Sequence, residues 1–261
     1  MKTEWHTPFH SSSRQGCTMK IDLHTHTIIS GHAYSTLKEN IEAARARGLE
    51  AFAVTDHGPA MPGVLGEAYH VVNMRLSVPV FMDGIRIIRG FEANIIDYDG
   101  RTDLPTDFTP SVEFILGALH EICIVPRSKK ENTDGVINAM ASGYVDAIAH
   151  PDGFGFPLDY PALTEAAREY KVALEVNNNT LKGRVRGECR DNYLELLYHA
   201  KKNGVYISAG SDSHFYTSIG ELDLARGILE EMDYPKELII SRNLEQFDQF
   251  LKIRQQERKI Y

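Results

Sequence analysis

Only three cysteines, Cys17, Cys123 and Cys189, occur in 261 residues, and no C-x-x-C pair is among them. An odd count without that spacing gives neither a disulfide framework nor a thiolate zinc site, so a reducing compartment, the cytoplasm, is the expected setting. Long apolar runs are missing too: none approaches the ~18 residues of a membrane span. Lys2 has no apolar stretch behind it, so no secretory signal is expected. Lysine and arginine form no block, and the formal net charge is −8. That argues against a broad nucleic-acid-binding surface but leaves room for a local cationic site. Neither G-x-G-x-x-G nor G-x-x-x-x-G-K-S/T occurs, which weakens a nucleotide-binding open sheet.

What is there is an ordinary globular composition, 43% hydrophobic and 25% charged, with eleven histidines. Residues 1–18 lack periodicity and read as an extension outside the core; Met19 would serve equally as a chain start. From Met19 to Tyr261 short apolar runs alternate with helical patterns and no composition shift marks a linker, which predicts a single domain. The runs are Lys20–Leu23, Ala51–Val54, Ile85–Arg89, Val112–Leu119, Val145–Ala149, Val172–Val176 and Val205–Ala209. They are short, rich in β-branched residues and bounded by turn or polar residues, as buried parallel strands are. Thr36-x-x-Glu39 is a capping box for a helix ending at Gly48. Further helices are predicted at Asp134–Ser142, from Pro161, at Arg190–Asn203, and about Glu221–Met232 and Asn243–Gln256. A βα series of this length closes as a barrel or stays open and doubly wound.

The polar residues just past each run decide which. The first ends in His24-x-His26 with His32 six residues on, the second in Thr55-Asp56-His57-Gly58, and the third in Gly90-Phe91-Glu92-Ala93-Asn94. The fourth ends in His120, the fifth in His150-Pro151, the sixth in Glu175-Val176-Asn177-Asn178, and the seventh in Gly210-Ser211-Asp212-Ser213-His214. In a parallel barrel all strand C-termini share one face. His24, His26, His32, His57, Glu92, His120, His150, Asp212 and His214 would then converge, and H-x-H and D-x-H put alternate side chains on one side of a strand. One such histidine is most simply a core or surface residue; six strand ends carrying ligand types together read as a metal site. Of the rest, His6, His10 and His199 read as tail or surface, whereas His70, in the long segment Gly58–Asp83 expected over the barrel mouth, is a candidate substrate contact.

Nine donors exceed the three or so that one catalytic ion takes from the protein, so two or three ions are expected. Imidazole and carboxylate without thiolate favour Zn, Mn or Fe over Mg or Ca. Three divalent ions less two carboxylates and a bridging hydroxide leave the pocket about +3, which calls for an anionic substrate, most naturally a phosphate ester attacked by metal-bound hydroxide.

In this order the motifs D-L-H-T-H (Asp22–His26), T-D-H-G (Thr55–Gly58), G-x-E-A-N (Gly90–Asn94) and G-S-D-S-H (Gly210–His214) resemble the PHP (polymerase and histidinol phosphatase) family, and within it the YcdX-type branch of probable phosphatases, over nearly the whole chain from Met19. The resemblance implies a distorted (β/α)7 TIM-like barrel with a trinuclear centre at the C-terminal strand ends, usually zinc. Carried over, His24, His26, Glu92 and Asp212 hold one ion. Glu92 bridges to a second, held also by His120 and His150, and His32, His57 and His214 hold the third. The hydroxide sits between Glu92 and Asp212. Asp22 and Asp56, beside ligands, either orient imidazoles or cap the core. Arg75, Lys130, Arg184 and Arg186 lie in long loops and are candidate phosphate contacts, with solvated surface charge as the plainer role. Asn177 and Asn178 are candidates to orient ligands or substrate.

The expected activity is hydrolysis of a small phosphate monoester, in a chain with no membrane partner and with homo-oligomerisation seen among relatives of this type. Histidinol phosphate and a nucleotide or nucleic-acid end phosphate are alternative substrates. A barrel amidohydrolase also begins with H-x-H, but it wants a bridging Lys or Glu on the fourth strand and His on the sixth, where this chain has His120 and Asn177. A non-catalytic metal-binding module would be expected to have lost a ligand position, and none is lost.

Overall fold

The computed structural model describes residues 18–64, 66, 68–183 and 187–257. Apart from Thr18, the expected N-terminal extension lies outside these residues. The strands are β1 (Ile21–Thr25), β2 (Ala51–Val54), β3 (Phe81–Met82), β4 (Ile85–Asn94), β5 (Phe114–Ala118), β6 (Ala147–Ile148), β7 (Ala173–Asn177) and β8 (Ile207–Gly210). The helices are α1 (Leu37–Ala46), α2 (His70–Ser77), α3 (Lys129–Ala141), α4 (Tyr160–Glu169), α5 (Asn178–Leu181), α6 (Arg190–Asn203), α7 (Asp223–Glu231) and α8 (Leu244–Glu257). Seven strands run parallel in the order β1-β2-β4-β5-β6-β7-β8, and β3 adds antiparallel to β4.

The sheet curls until its ends meet. Thr25 bridges to Ser213, the Asp212 amide donates to His24 O (2.8 Å), and the His26 amide donates to Ser213 O (2.9 Å). The expected distorted (β/α)7 TIM-like barrel is therefore present. Every residue of β1, β2, β5, β6, β7 and β8 is buried, as strands covered on both faces must be. No helix among the described residues is long and apolar enough to cross a membrane.

A barrel of seven strands has a narrow interior, which small side chains fit. Ala51, Ala53, Ala118, Ala147, Ala149 and Ala173 pack with Ile21, Leu23, Ile88, Phe114 and Leu116. Its floor is closed by α8, whose Phe247, Phe250 and Leu251 join this cluster; the Phe247 ring meets Phe114 edge-on at 5.6 Å. Arg254 of the same helix is buried. Its guanidinium reaches Asp146 Oδ1 (3.3 Å) and donates to the carbonyls of Tyr170 (2.6 Å) and Val145 (2.8 Å).

Local signals explain most helix starts. The Thr36/Glu39 capping box opens α1, and Asp159 caps α4 with Pro161 in its first turn. Two expectations shift. The third helix begins at Lys129 rather than Asp134, because Ser128 and Glu131 form a second capping box. The segment Gly58–Asp83 does not simply cover the mouth, since its α2 packs on the outer face of β4 and β3 forms a hairpin with that strand.

Candidate metal centre

At the C-terminal end of the barrel all nine expected donors come together. Glu92, wholly buried at the centre, divides its two oxygens. Oε2 lies 2.8 Å from His57 Nδ1, 3.2 Å from His24 Nε2 and 3.5 Å from His26 Nε2. Oε1 lies 3.0 Å from His150 Nε2 and 3.4 Å from His120 Nε2. Asp212 Oδ1 stands 3.2 Å from His26 Nε2 and 3.7 Å from His24 Nε2. The His32 ring is 4.9 Å from those of both His57 and His214. Three overlapping sets have donor atoms mutually within 4.8 Å: His24/His26/Asp212, His57/Glu92/His120 and His26/His57/His214.

In four of the rings the second nitrogen shows why the first points inward. His24 Nδ1–H donates to Glu175 Oε1 (2.9 Å), His26 Nδ1–H to Ser30 Oγ (2.9 Å), His120 Nδ1–H to Asn94 Oδ1 (2.7 Å) and His214 Nδ1–H to Asp212 O (3.1 Å). Each bond fixes the tautomer and leaves an Nε2 lone pair facing the centre. Ser30 in turn donates to Asp56 Oδ1 (2.6 Å), which also accepts from the Thr27 amide (2.7 Å), so Asp56 aims His26 through a hydroxyl. Asp22 acts differently. It accepts from the backbone amides of Ser211 (2.8 Å) and Gly220 (2.7 Å) and ties the first strand to the last, so its role is that of a cap.

Glu175 makes the most contacts of these partners; the sequence places it in the sixth strand-end motif without giving it a role. Besides His24 it accepts from the His150 amide (2.7 Å) and from Asn177 Nδ2 (3.2 Å), which also reaches Asp212 (3.4 Å). Gly210 makes the His24–Glu175 pair sterically feasible. A Cβ there would stand 2.3 Å from His24 Cβ and 2.4 Å from Glu175 Oε1. His150 and Asp212 both adopt left-handed backbone (φ 33° and 51°), a cost that concentrates at functional sites.

Four unpaired atoms mark the centre as incomplete on its own. His24 Nε2, His26 Nε2, His57 Nδ1 and Glu92 Oε2 are buried and make no hydrogen bond despite their proximity. Buried polar atoms are almost always satisfied. A cluster of orphaned nitrogen and oxygen donors sharing one space fits divalent cations. The electrostatics divide: despite burial, Glu175 and Glu92 push His24, and Glu92 pushes His57, above the usual histidine value, a proton that a cation would displace, while the carboxylates and His26 lie in ligand form. Burial alone would raise Glu92 and Asp212, but the imidazoles around them, led by His57 for Glu92 and His24 for Asp212, hold both well below the carboxylate range. Burial, then crowding by His214 and His57, holds His26 well below the usual histidine value. Ionised carboxylates and a neutral imidazole are the states that ligate metal. Burial also pushes Asp22 up to about 6.

The centre forms the bottom of a cavity of about 490 Å³, lined by His32, His57, Glu92, His120, His150, Asp212 and His214 and, toward the mouth, by Met61, Asn179, Thr180, Phe215 and Ser218. The expected substrate contacts that can be located lie elsewhere. His70 stacks on Phe91 at 5.7 Å on the outer face of β4, because β4 alternates, with Ile88 and Glu92 facing inward and Phe91 outward. Arg75 donates to Pro110 O, and Lys130 pairs in solvent with Asp134, one turn along α3. Arg184 and Arg186 lie outside the described residues. Asn178 caps α7, accepting from the amides of Leu224 and Ala225.

A family model for the PHP domain matches residues 22–256. A protein of Acetivibrio thermocellus named "Probable phosphatase" is 45% identical over 232 residues, 89% of this chain and 95% of its own length. Another of that name from Caldicellulosiruptor saccharolyticus is 40% identical over 235 residues, 90% of this chain and 97% of its own. Among solved structures, the histidinol phosphate phosphatase of Lactococcus lactis, complexed with zinc, L-histidinol and phosphate, superposes with a TM-score of 0.59 at 19% identity, covering 84% of this chain and 95% of that one. A chain of archaeal ribonuclease P with mature tRNA does so with a TM-score of 0.58 at 18% identity, covering 90% and 91%. At such identities these superpositions speak for the fold. The extent of the family match and the two close relatives settle the membership: this chain belongs to the PHP domain family.

Proposed function

We propose that the chain is a metal-dependent phosphoesterase that hydrolyses a small phosphate monoester. The observation that carries this is the group of orphaned buried donor atoms around Glu92 at the C-terminal end of the barrel. Phosphatase is also the activity named for its close relatives. Three divalent ions, zinc foremost, are the proposed occupants. His24, His26, Glu92 and Asp212 would hold the first, Glu92, His120 and His150 the second, and His32, His57 and His214 the third. The divided contacts of Glu92 suit a bridge. Ions held there would supply Lewis acidity toward phosphoryl oxygens and a nucleophile from water near neutral pH.

The chain's own residues do the rest. Glu92 and Asp212 carry the negative charge that keeps the cations in place. Glu175, Ser30, Asn94 and the Asp212 carbonyl hold four rings in register. Ser218 and Asn179 offer polar groups in the cavity lining for phosphate oxygens. A volume of about 490 Å³ suits a small organic ester.

Elemental analysis of protein purified without chelator or added metal is the first test. Close to three transition ions per chain is expected, with turnover on a phosphomonoester panel in that metal. A content near one or zero after remetallation would overturn the trinuclear centre. Glu175→Gln is expected to weaken metal retention about 10–100-fold, measured by chelator competition, because His24 loses its carboxylate partner. Retention within twofold of the native chain would mean that Glu175 serves only the fold.

A further inference from the structure

Beside the metal cavity a second space of about 270 Å³ opens, and the two share Met61 and His120. Its walls are unlike those of the centre. Leu119, Ile122, Phe154 and Phe156 line it with Met61, and Glu121 is its one acidic side chain. The aromatic wall is built by the loop that follows His150. Gly153 and Gly155 both take left-handed backbone (φ 75° and 69°) on either side of Phe154, and the Phe154 amide donates to Asp152 Oδ1 (2.9 Å). Phe156 is thereby buried while the Phe154 ring is 46% exposed. Ile122, on the turn that follows His120, is 63% exposed. Glu121 lies against Gly155, where a Cβ would stand 2.3 Å from its Oε1.

Two exposed apolar side chains facing one space next to a polar centre are poorly explained by packing, since neither is buried by the fold. From this we infer that the lobe receives the alcohol portion of the ester: the substrate is a phosphomonoester whose alcohol carries an apolar body, with no second anionic group. The inference rests on the phosphoesterase function proposed above and specifies its substrate class. The chemistry runs from continuity. With the phosphoryl group at the centre, the space beyond His120 and Met61, which line both cavities, is the neighbouring volume the carbon chain can occupy. An engineered cavity of ~150 Å³ holds benzene, so a lobe of about 270 Å³ has room for a substituted ring. The Glu121 carboxylate on its wall repels an alcohol that carries a further carboxylate or phosphate. The same loop that supplies His150 to the centre supplies Phe154 to the lobe, so one segment sets both chemistry and selectivity.

Ethyl phosphate and 2-phenylethyl phosphate test this, because both leave as primary alcohols and differ in the apolar body. The metal-loaded protein is expected to turn over the phenylethyl ester with kcat/KM about tenfold or more above the ethyl ester, from burial of the ring. Phe154→Ala, and independently Ile122→Ser on the exposed rim, should bring that ratio toward one. A phenylethyl ester carrying a para-carboxylate should be the poorer substrate, and Glu121→Gln should narrow the gap. Calorimetric titration with the inert ethyl- and 2-phenylethylphosphonates reads the lobe without turnover. Hydrolysis of both esters at equal kcat/KM, or a preference untouched by both variants, would overturn the inference and leave the phosphoesterase function standing. Hydrolysis of neither ester, with the phenylethylphosphonate still bound more tightly through Phe154, would do the reverse.

Discussion

Glu92→Gln is expected to reduce phosphomonoester turnover by at least about a thousandfold and to lower the metal content of the purified protein. One carboxylate faces five imidazoles from the ends of four strands, with Oε2 toward His24, His26 and His57 and Oε1 toward His120 and His150. Glutamine matches its shape but removes the charge, and it turns one end into a donor that meets imidazole nitrogens already aimed as lone pairs. Removing one stabilising group from such a site typically costs 10²–10³ in kcat; here the same residue would also anchor two cations. Far-UV circular dichroism should report an unchanged fold. An E92Q protein that keeps three ions and stays within tenfold of native activity would show that Glu92 is not the shared ligand.

Arg254→Met should lower the stability of the chain by about 3–5 kcal/mol, the cost of leaving a buried charge without its cationic partner. For a domain of this size that is on the order of 10 °C in Tm. The guanidinium joins α8 to the floor of the barrel, and its loss removes a donor from Asp146 and from the carbonyls of Tyr170 and Val145. Asp146 would still accept from the Ile115 amide at 2.8 Å. Adding Asp146→Asn should recover part of the loss, since it removes the unpaired buried charge and keeps an acceptor for the Ile115 amide. Thermal unfolding checks both. A single-variant shift under 2 °C would mean that the pair contributes little.

The histidines are legible because their spacing is local. H-x-H and D-x-H declare themselves within three residues, and the strand periodicity supplies the shared face. Glu175 is not legible in its role, because it stands between Leu174 and Val176 in a run that reads as a buried strand. Only the closure of β7 beside β8, with Gly210 clearing the space, turns it toward His24. His70 departs from expectation for a related reason. A loop's length tells that it is long, whereas the side of the sheet it packs on depends on which residues of β4 face outward, and Phe91 does. Arg75 and Lys130 show the same limit, since a cation's partner is a matter of tertiary contact. The plugging of the floor by α8 is equally hidden. Its Phe247 and Phe250 are spaced as any amphipathic helix would have them, and only the narrow, alanine-lined interior explains where they go.

The closure of β1 on β8 has a consequence for biosynthesis. His24 and His26 leave the ribosome early, while Asp212 and His214, together with the strand that seals the barrel, come about 190 residues later. At ~5–20 residues per second the early histidines wait roughly 10–40 s for their partners. During that interval the nascent chain carries imidazoles of the proposed centre with no finished site, and α8, which stoppers the barrel, is still to be made. Full loading of the proposed centre therefore has to wait for the pairing of β1 with the segment after β8, the step that brings Asp212 and His214 to His24 and His26.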